Sequence, residues 1–139
     1  MFFFGTFEHA IDERGRVAIP ARYRPAFVAG GVLRVGPEGA VEMYTQETFD
    51  QEVQRRLGSE NGNRSLDARR IRRSFLSEAY AVELDKQGRI LVPPQIREDS
   101  ELSTRLLIIG CGDYLELWHP EAWAGEQGAL DNELSEGDA

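Results

Sequence analysis

The sequence predicts an α+β protein made of two tandem β-β-α-β-β-α units that share one pseudo-twofold, β-rich core with helices outside. Three observations carry this. First, Ile11-Asp12-Glu13-Arg14-Gly15-Arg16-Val17-Ala18-Ile19-Pro20 returns 73 residues later as Leu84-Asp85-Lys86-Gln87-Gly88-Arg89-Ile90-Leu91-Val92-Pro93, with Asp, Gly, Arg and Pro in register and apolar positions kept apolar. Second, at an offset of 74, Leu33-Arg34-Val35-Gly36 pairs with Leu107-Ile108-Ile109-Gly110 and Val41-Glu42-Met43-Tyr44 with Leu115-Glu116-Leu117-Trp118, running on to Glu47/Glu121 and Phe49/Trp123. An internal repeat of this length sets the architecture. Third, 139 residues suit one compact domain, whereas half-units of roughly 60 residues are marginal alone and need a shared core.

Each element has its own signal. Thr6 to Ile11 reads as a short strand. Asp12-Glu13-Arg14-Gly15 is a turn, because Asp accepts from backbone amides ahead of it and Gly takes positive φ. Val17 and Ile19 alternate along a second strand, Arg16 to Ile19. Pro20 suits the first turn of a short helix, Ala21 to Arg24, which Pro25 is expected to end. Val32–Val35 and Ala40–Tyr44 form a hairpin around Gly36-Pro37-Glu38-Gly39. Thr45 caps a helix over about Glu47 to Leu57. After a linker at 58–63, a helix from Ser65 to Ala79 carries an apolar stripe of Leu66, Ile71, Phe75, Leu76 and Ala79. The second unit repeats the plan: strands at Tyr80–Leu84 and Arg89–Val92, a short helix after Pro93, a hairpin of Leu106–Ile109 and Tyr114–Trp118, and a last helix from Pro120. Short strands leave edges and an open apolar face, which the two units can cover for each other. The expected divisions are a first unit at 1–57, a linker and connecting helix at 58–79, a second unit at 80–125, and an acidic, flexible tail at 126–139.

The net charge of −8 argues at first against a nucleic-acid partner. The distribution reverses that argument. Residues 1–97 hold 15 Lys+Arg and 13 Asp+Glu, net +2, whereas residues 98–139 hold one base, Arg105, and 11 acids. Cys111 is the only cysteine, so no intrachain disulfide can form, which fits a reducing compartment. The apolar start, Met1-Phe2-Phe3-Phe4, is too short for a signal segment and no run is long enough to span a membrane. A cytoplasmic protein is expected.

A lone Asp-x-x-Gly-Arg reads most simply as a turn followed by a strand. Two copies with matching flanks are different, because turn stability needs Asp and Gly but not the Arg that follows. Asp12 and Asp85 can pair with Arg16 and Arg89 and orient their guanidinium groups, leaving Gly15 and Gly88 to close the turns. Two such arginines about a pseudo-twofold axis match a DNA duplex, whose backbone also has a dyad. Arg14, Arg22 and Arg24 add to the first cluster, and Lys86 and Arg97 to the second. Arg offers a planar fork to phosphate or to guanine O6 and N7, and a two-stranded ribbon can enter a major groove. The DNA-contacting candidates are thus Arg14, Arg16, Arg22, Arg24, Lys86 and Arg89. The run from Arg64 to Arg73 holds five arginines, and its simpler reading is a solvated helix face pairing with nearby acids. His9 and His119 lack partners at metal spacing, so no metal or other cofactor is expected. Phe2, Phe3, Phe4 and Phe7 fit core or subunit packing better than base stacking.

These residues resemble the MraZ family, bacterial proteins with two tandem swapped-hairpin domains of the AbrB/SpoVT type. The resemblance spans Met1 to about Trp123 and rests on Met1-Phe2, Gly5, His9-x-x-Asp12-x-Arg14-Gly15-Arg16, Asp85-Lys86-Gln87-Gly88-Arg89-Ile90 and Leu115-Glu116-Leu117-Trp118. It implies a sequence-specific transcriptional regulator that binds short direct repeats in double-stranded DNA upstream of the division and cell-wall gene cluster. It also implies repression of that cluster, including the regulator's own gene, by homo-oligomeric rings of about eight or more subunits, with a nucleoid-associated location. Neither a membrane nor a small-molecule ligand enters this reading. The family's Asp-x-x-x-Arg motif falls on Asp12/Arg16 and Asp85/Arg89, and its basic turn residue on Arg14, with Lys86 one position earlier in the second copy. Glu13 in the first turn and the acidic tail depart from the family pattern. A second reading is an antitoxin-like interaction module whose acidic C-terminal region neutralises a basic partner. An enzyme is the least supported, since no nucleophile set, acid/base pair or cofactor loop is present.

Overall fold

A computed structural model describes residues 2–58 and 65–137, with side chains to Leu134; the expected linker at 58–63 lies almost wholly outside them. Among the described residues eight strands are formed: β1 Thr6–Ala10, β2 Arg16–Ala18, β3 Gly31–Val35, β4 Val41–Thr45, β5 Tyr80–Val82, β6 Arg89–Leu91, β7 Arg105–Gly110 and β8 Tyr114–Trp118. Four α-helices accompany them: α1 Gln46–Leu57, α2 Leu66–Ser77, α3 Pro94–Ser100 and α4 Pro120–Gly137. Six strands make one antiparallel sheet in the order β1-β7-β8-β4-β3-β5, and β2 pairs with β6 as a separate ribbon.

That order reads the same from either end once the units are exchanged. The first strand of each unit leaves its own unit: β1 pairs with β7, and β5 with β3. The units also join at β4–β8 and β2–β6. Val17 faces Ile90 and Glu42 faces Glu116, each residue opposite its own counterpart, so one pseudo-twofold axis runs through both pairs.

The main core lies between the ribbon and one face of the sheet. Val17, Ile19, Ile90 and Val92 point down from the ribbon onto Leu33, Met43, Leu106, Ile108, Leu115 and Leu117. Phe3, Tyr23 and Phe27 join them, Phe3 edge-on to Tyr23 and stacked on Phe27. The opposite face carries two smaller clusters. Val32, Tyr44, Phe49 and Phe75 gather under α1 and α2, and Ala40, Ile109 and Trp118 lie under Trp123 of α4. Phe49 and Trp123, matched in the repeat, therefore anchor opposite halves of one face. Thr45 caps α1 with its hydroxyl accepting from the Thr48 amide, and Thr48 returns the bond to the Thr45 amide.

The structure corrects four sequence expectations. The helix after Pro20 does not stop at Pro25; it runs as a 3-10 helix over Ala21–Phe27 with Pro25 inside. A 3-10 run is a succession of short turns, and a proline, preset in φ, is tolerated at the start of a new one. The hairpin repeat is offset by 75, not 74, on its first strand: Val35 pairs with Val41, and Gly110 with Leu115. The second hairpin's loop is one residue shorter, and alternation then matches Leu33 to Ile108, both fully buried, because a one-residue slip would turn the strand inside out. Ile109 consequently stands where the first unit has Arg34. The α2 stripe is not a core stripe: Phe75 is buried, but Leu66, Ile71 and Leu76 are exposed. Finally, the last helix does not give way to tail at residue 126 but continues to Gly137. Pro120 is preset for the first turn, and Ala122, Ala124, Ala129, Leu130 and their Glu and Gln neighbours are strong helix formers that outweigh Gly125 and Gly128.

Candidate nucleic-acid interface

The two Asp-x-x-Gly-Arg turns have the same internal wiring. In the first, the Gly15 amide donates to the Asp12 carbonyl at 3.0 Å and the Asp12 amide to the Arg16 carbonyl at 3.1 Å. In the second, Gly88 donates to Asp85 at 3.0 Å and Asp85 to Arg89 at 2.8 Å. Both glycines have positive φ, 89° and 76°, which any other L-residue adopts at a cost.

Each aspartate does two jobs. Asp12 Oδ1 accepts from the amides of Arg14 (3.0 Å) and Arg16 (2.8 Å), and its Oδ2 accepts from Arg16 Nε at 2.6 Å. Asp85 Oδ1 accepts from the amides of Gln87 (2.8 Å) and Arg89 (3.0 Å), and its Oδ2 from Arg89 Nε at 2.9 Å. The backbone amides of Arg16 and Arg89, foremost, hold the two carboxyls below the usual aspartate range, with the guanidinium groups adding to this. Only Nε of each arginine side chain is used among the described residues. Among the described residues the terminal nitrogens of Arg16 and Arg89 meet no acceptor, so each fork stays available to a ligand.

The ribbon places these forks. Val17, Ile19, Ile90 and Val92 face the core, so Arg16, Ala18, Arg89 and Leu91 share the outward face, with Arg16 opposite Leu91 and Arg89 opposite Ala18. Such diagonal positions lie roughly 7–8 Å apart. The two turns sit at opposite ends of the ribbon, related by the axis through Val17 and Ile90. The pairing itself locks them: Ile19 donates to the Gly88 carbonyl at 2.9 Å, and Val92 to the Gly15 carbonyl at 2.8 Å. Leu91, 56% exposed, is an apolar contact surface between the arginines that charge-based sequence reading misses.

Arg24 and Arg97 are counterparts at the 73-residue offset, and each serves the other unit's turn. Arg24 Nε donates to the Ile19 carbonyl at 2.9 Å and lies against Gly88, so close that a Cβ there would stand 2.2 Å from it. Arg97 Nη1 donates to the Glu13 carbonyl at 3.3 Å and lies against Gly15, its Cζ 3.2 Å from a Cβ position there. The sequence shows both arginines and their spacing but not that they reach across. Of the remaining candidates, Arg14 and Lys86 are exposed on the turns and have no acidic partner among the described residues. Arg22 stands over the Phe4 ring, 5.5 Å from its centroid, which takes it toward the N-terminal segment instead of the turns.

Beneath the sheet's other face the axis pair is asymmetric. Arg34 Nη1 reaches Glu42 at 3.3 Å, and Tyr44 donates to the same carboxylate at 3.0 Å. Glu116, with Ile109 beside it, has no such cation among the described residues and accepts instead from Trp118 Nε1 at 3.0 Å and Cys111 Sγ at 3.4 Å. Burial, opposed by these two bonds, leaves Glu116 above the usual carboxylate range, with Glu38 and Glu42 adding to the rise. Burial likewise pushes the Cys111 thiol up to about 12, an unreactive state.

Comparison with known proteins assigns the chain to a family. Two successive matches to the family described as "MraZ protein, putative antitoxin-like" cover residues 2–74 and 75–138. The chain is 41% identical over 124 residues to the transcriptional regulator MraZ of Thermomicrobium roseum, covering 89% of this chain and 86% of that one. It is 35% identical over 133 residues to the protein of the same name from Roseiflexus sp. RS-1, covering 96% and 92%. With the Heliobacterium modesticaldum protein, again named transcriptional regulator MraZ, it shares 38% over 122 residues, covering 88% and 84%. A doubled match in tandem, on a fold whose two halves exchange strands about an axis, establishes that the chain belongs to the MraZ family.

Proposed function

We propose that the chain is a sequence-specific DNA-binding transcriptional regulator that reads short direct repeats and represses the division and cell-wall gene cluster, its own gene included. The observation that supports this best is the pair of carboxylate-held arginines, Arg16 and Arg89, on the outward face of a twofold ribbon. A phosphate or a guanine edge meets there two forks already oriented, so little side-chain entropy is lost on binding. Arg14 and Lys86 extend the cationic surface from the turns, while Arg24 and Arg97 each pack on the other unit's turn and Asp12, Asp85, Gly15 and Gly88 set the shape of the turns. The units at 1–57 and 80–125 each supply one turn.

One subunit with a few phosphate contacts binds weakly at physiological salt. A ring of about eight or more copies engages successive repeats by effective concentration, which makes a net charge of −8 tolerable. Among the described residues no helix is long and apolar enough to cross a membrane, in keeping with work in the cytoplasm and at the nucleoid.

Fluorescence anisotropy on DNA carrying the direct repeats of its own upstream region tests the reading. Arg16→Ala/Arg89→Ala is expected to abolish repeat-dependent binding and to flatten the log–log salt slope by about 1 for each phosphate that is no longer neutralised. Equal, weak binding to the repeat and to a scrambled duplex, unchanged in the double variant, overturns it and favours a protein partner for the acidic C-terminal region.

A further inference from the structure

The pseudo-twofold axis makes α4 the counterpart of α1, yet their surroundings differ. α1 is covered by α2, whose Phe75 stacks on Phe49 with ring centroids 5.7 Å apart while Arg56 lies 4.6 Å over the same ring. Among the described residues nothing takes the place of α2 on α4. Beyond Trp123 the described side chains of α4 are exposed, with Leu130 at 49% and Leu134 at 60%. Its sequence carries Glu121, Glu126, Asp131, Glu133 and Glu136 and no basic residue.

The outer side of α2 is the electrostatic opposite. Arg69, Arg70 and Arg73 stand there, exposed, and among the described residues none of the three has an acidic partner. Leu66, 47% exposed, lies beside Arg69 and Arg73, whereas Ile71 and Arg72 line the groove toward Arg55 and Arg56 of α1. Leu66, Arg69 and Arg73 follow one helical row, and Glu126, Leu130 and Glu133 follow another.

We infer that the exposed face of α4 docks on the exposed face of α2 in a second copy of this chain. Two α4 faces repel each other, as do two α2 faces, so a symmetric pair through either helix is disfavoured. Acid-on-base with leucines between them satisfies both surfaces. Within one chain the two helices lie over opposite halves of the sheet. Every copy offers one face of each kind, so the contact is head-to-tail and adds subunits until the rotation closes. The inference rests on the ring reading above and names the surfaces that build it.

Light scattering coupled to size exclusion, on the full chain, tests it. The native protein is expected to run as a high-mass assembly. Arg69→Glu/Arg73→Glu and Glu126→Arg/Glu133→Arg are each expected to reduce it to monomer, and their combination in one chain to restore it. All four residues are exposed, and circular dichroism confirms that the variants fold. Leu130→Ser/Leu134→Ser, which changes no charge, is expected to raise the protein concentration needed for assembly about tenfold or more. Unchanged mass in either reversal, or failure of the combined chain to reassemble, overturns the docking while leaving the ring standing. A monomeric native protein overturns both.

Discussion

Gly88→Ala separates backbone strain from the displacement of Arg24, which packs on this turn from the other unit. At φ +76° an alanine costs about 1–2 kcal/mol. Its Cβ would also stand 2.2–2.6 Å from Nε, Cδ and Cζ of Arg24, so the guanidinium must leave and the bond from Nε to the Ile19 carbonyl breaks. That adds about 1–2 kcal/mol, for a total of about 2–4 kcal/mol. Gly39→Ala is the control, since its φ is +91° but nothing lies within 4 Å of the added Cβ; it costs the strain alone, about 1–2 kcal/mol. Urea denaturation followed by circular dichroism measures both. In an Arg24→Ala background the cost of Gly88→Ala falls to that of the control. Equal costs for Gly88→Ala and Gly39→Ala in the native background, or a cost at Gly88 indifferent to Arg24, refute the packing of Arg24 on the other unit's turn as a structural element.

The other predictions concern charge and packing. Asp12 and Asp85 have folded-state pKa values below the ordinary 3.8, so they stabilise the protein above that value and the contribution is lost as pH falls through the depressed values; Asp12→Asn/Asp85→Asn should flatten acid denaturation below pH 4. Glu116 has the opposite sign. Its folded-state pKa lies above the ordinary 4.5, so the folded chain holds the proton more tightly and stability falls as pH rises from there. Glu116→Gln keeps an acceptor for Trp118 and should melt at or above the native temperature at pH 7, the difference closing near pH 4. Phe75→Ala removes a ring that is 4% exposed and carries both Phe49 and the Arg34 guanidinium, 4.5 Å above it; a loss of about 3 kcal/mol in urea is expected.

Much of the architecture was legible because the repeat is written in residues that geometry requires. Asp, Gly and Arg recur at fixed spacing since one turn type needs an acceptor, a positive φ and an outward fork, and the structure shows that wiring twice. Thr45 announced its helix, and Gly36 to Gly39 their hairpin. Other features depend on what lies opposite. Helical periodicity shows Leu66, Ile71, Phe75, Leu76 and Ala79 as one apolar stripe, but it does not show that only Phe75 of these is buried while Leu66, Ile71 and Leu76 stay exposed. The shift of Leu33 from Leu107 to Ile108 follows from a loop shorter by one residue, which residue similarity between apolar strands does not report. Arg24 and Arg97 were visible as bases, whereas their use on the other unit's turn comes from the pairing of the ribbon. Ile109 in place of Arg34, which leaves Glu116 without a cation among the described residues, depends on the same one-residue shift.

The exchange of first strands also governs when this chain can finish folding. β3, β4 and β5 lie within a span of about fifty residues, but β1 must wait for β7 to be made. At a synthesis rate of roughly 5–20 residues per second, that interval is on the order of 5–20 s. During it the Thr6–Ala10 strand is an open edge beside an unfinished core, a template for any neighbouring nascent copy. A message truncated before Arg105 therefore yields a protein with its first strand permanently unmatched, not half a regulator.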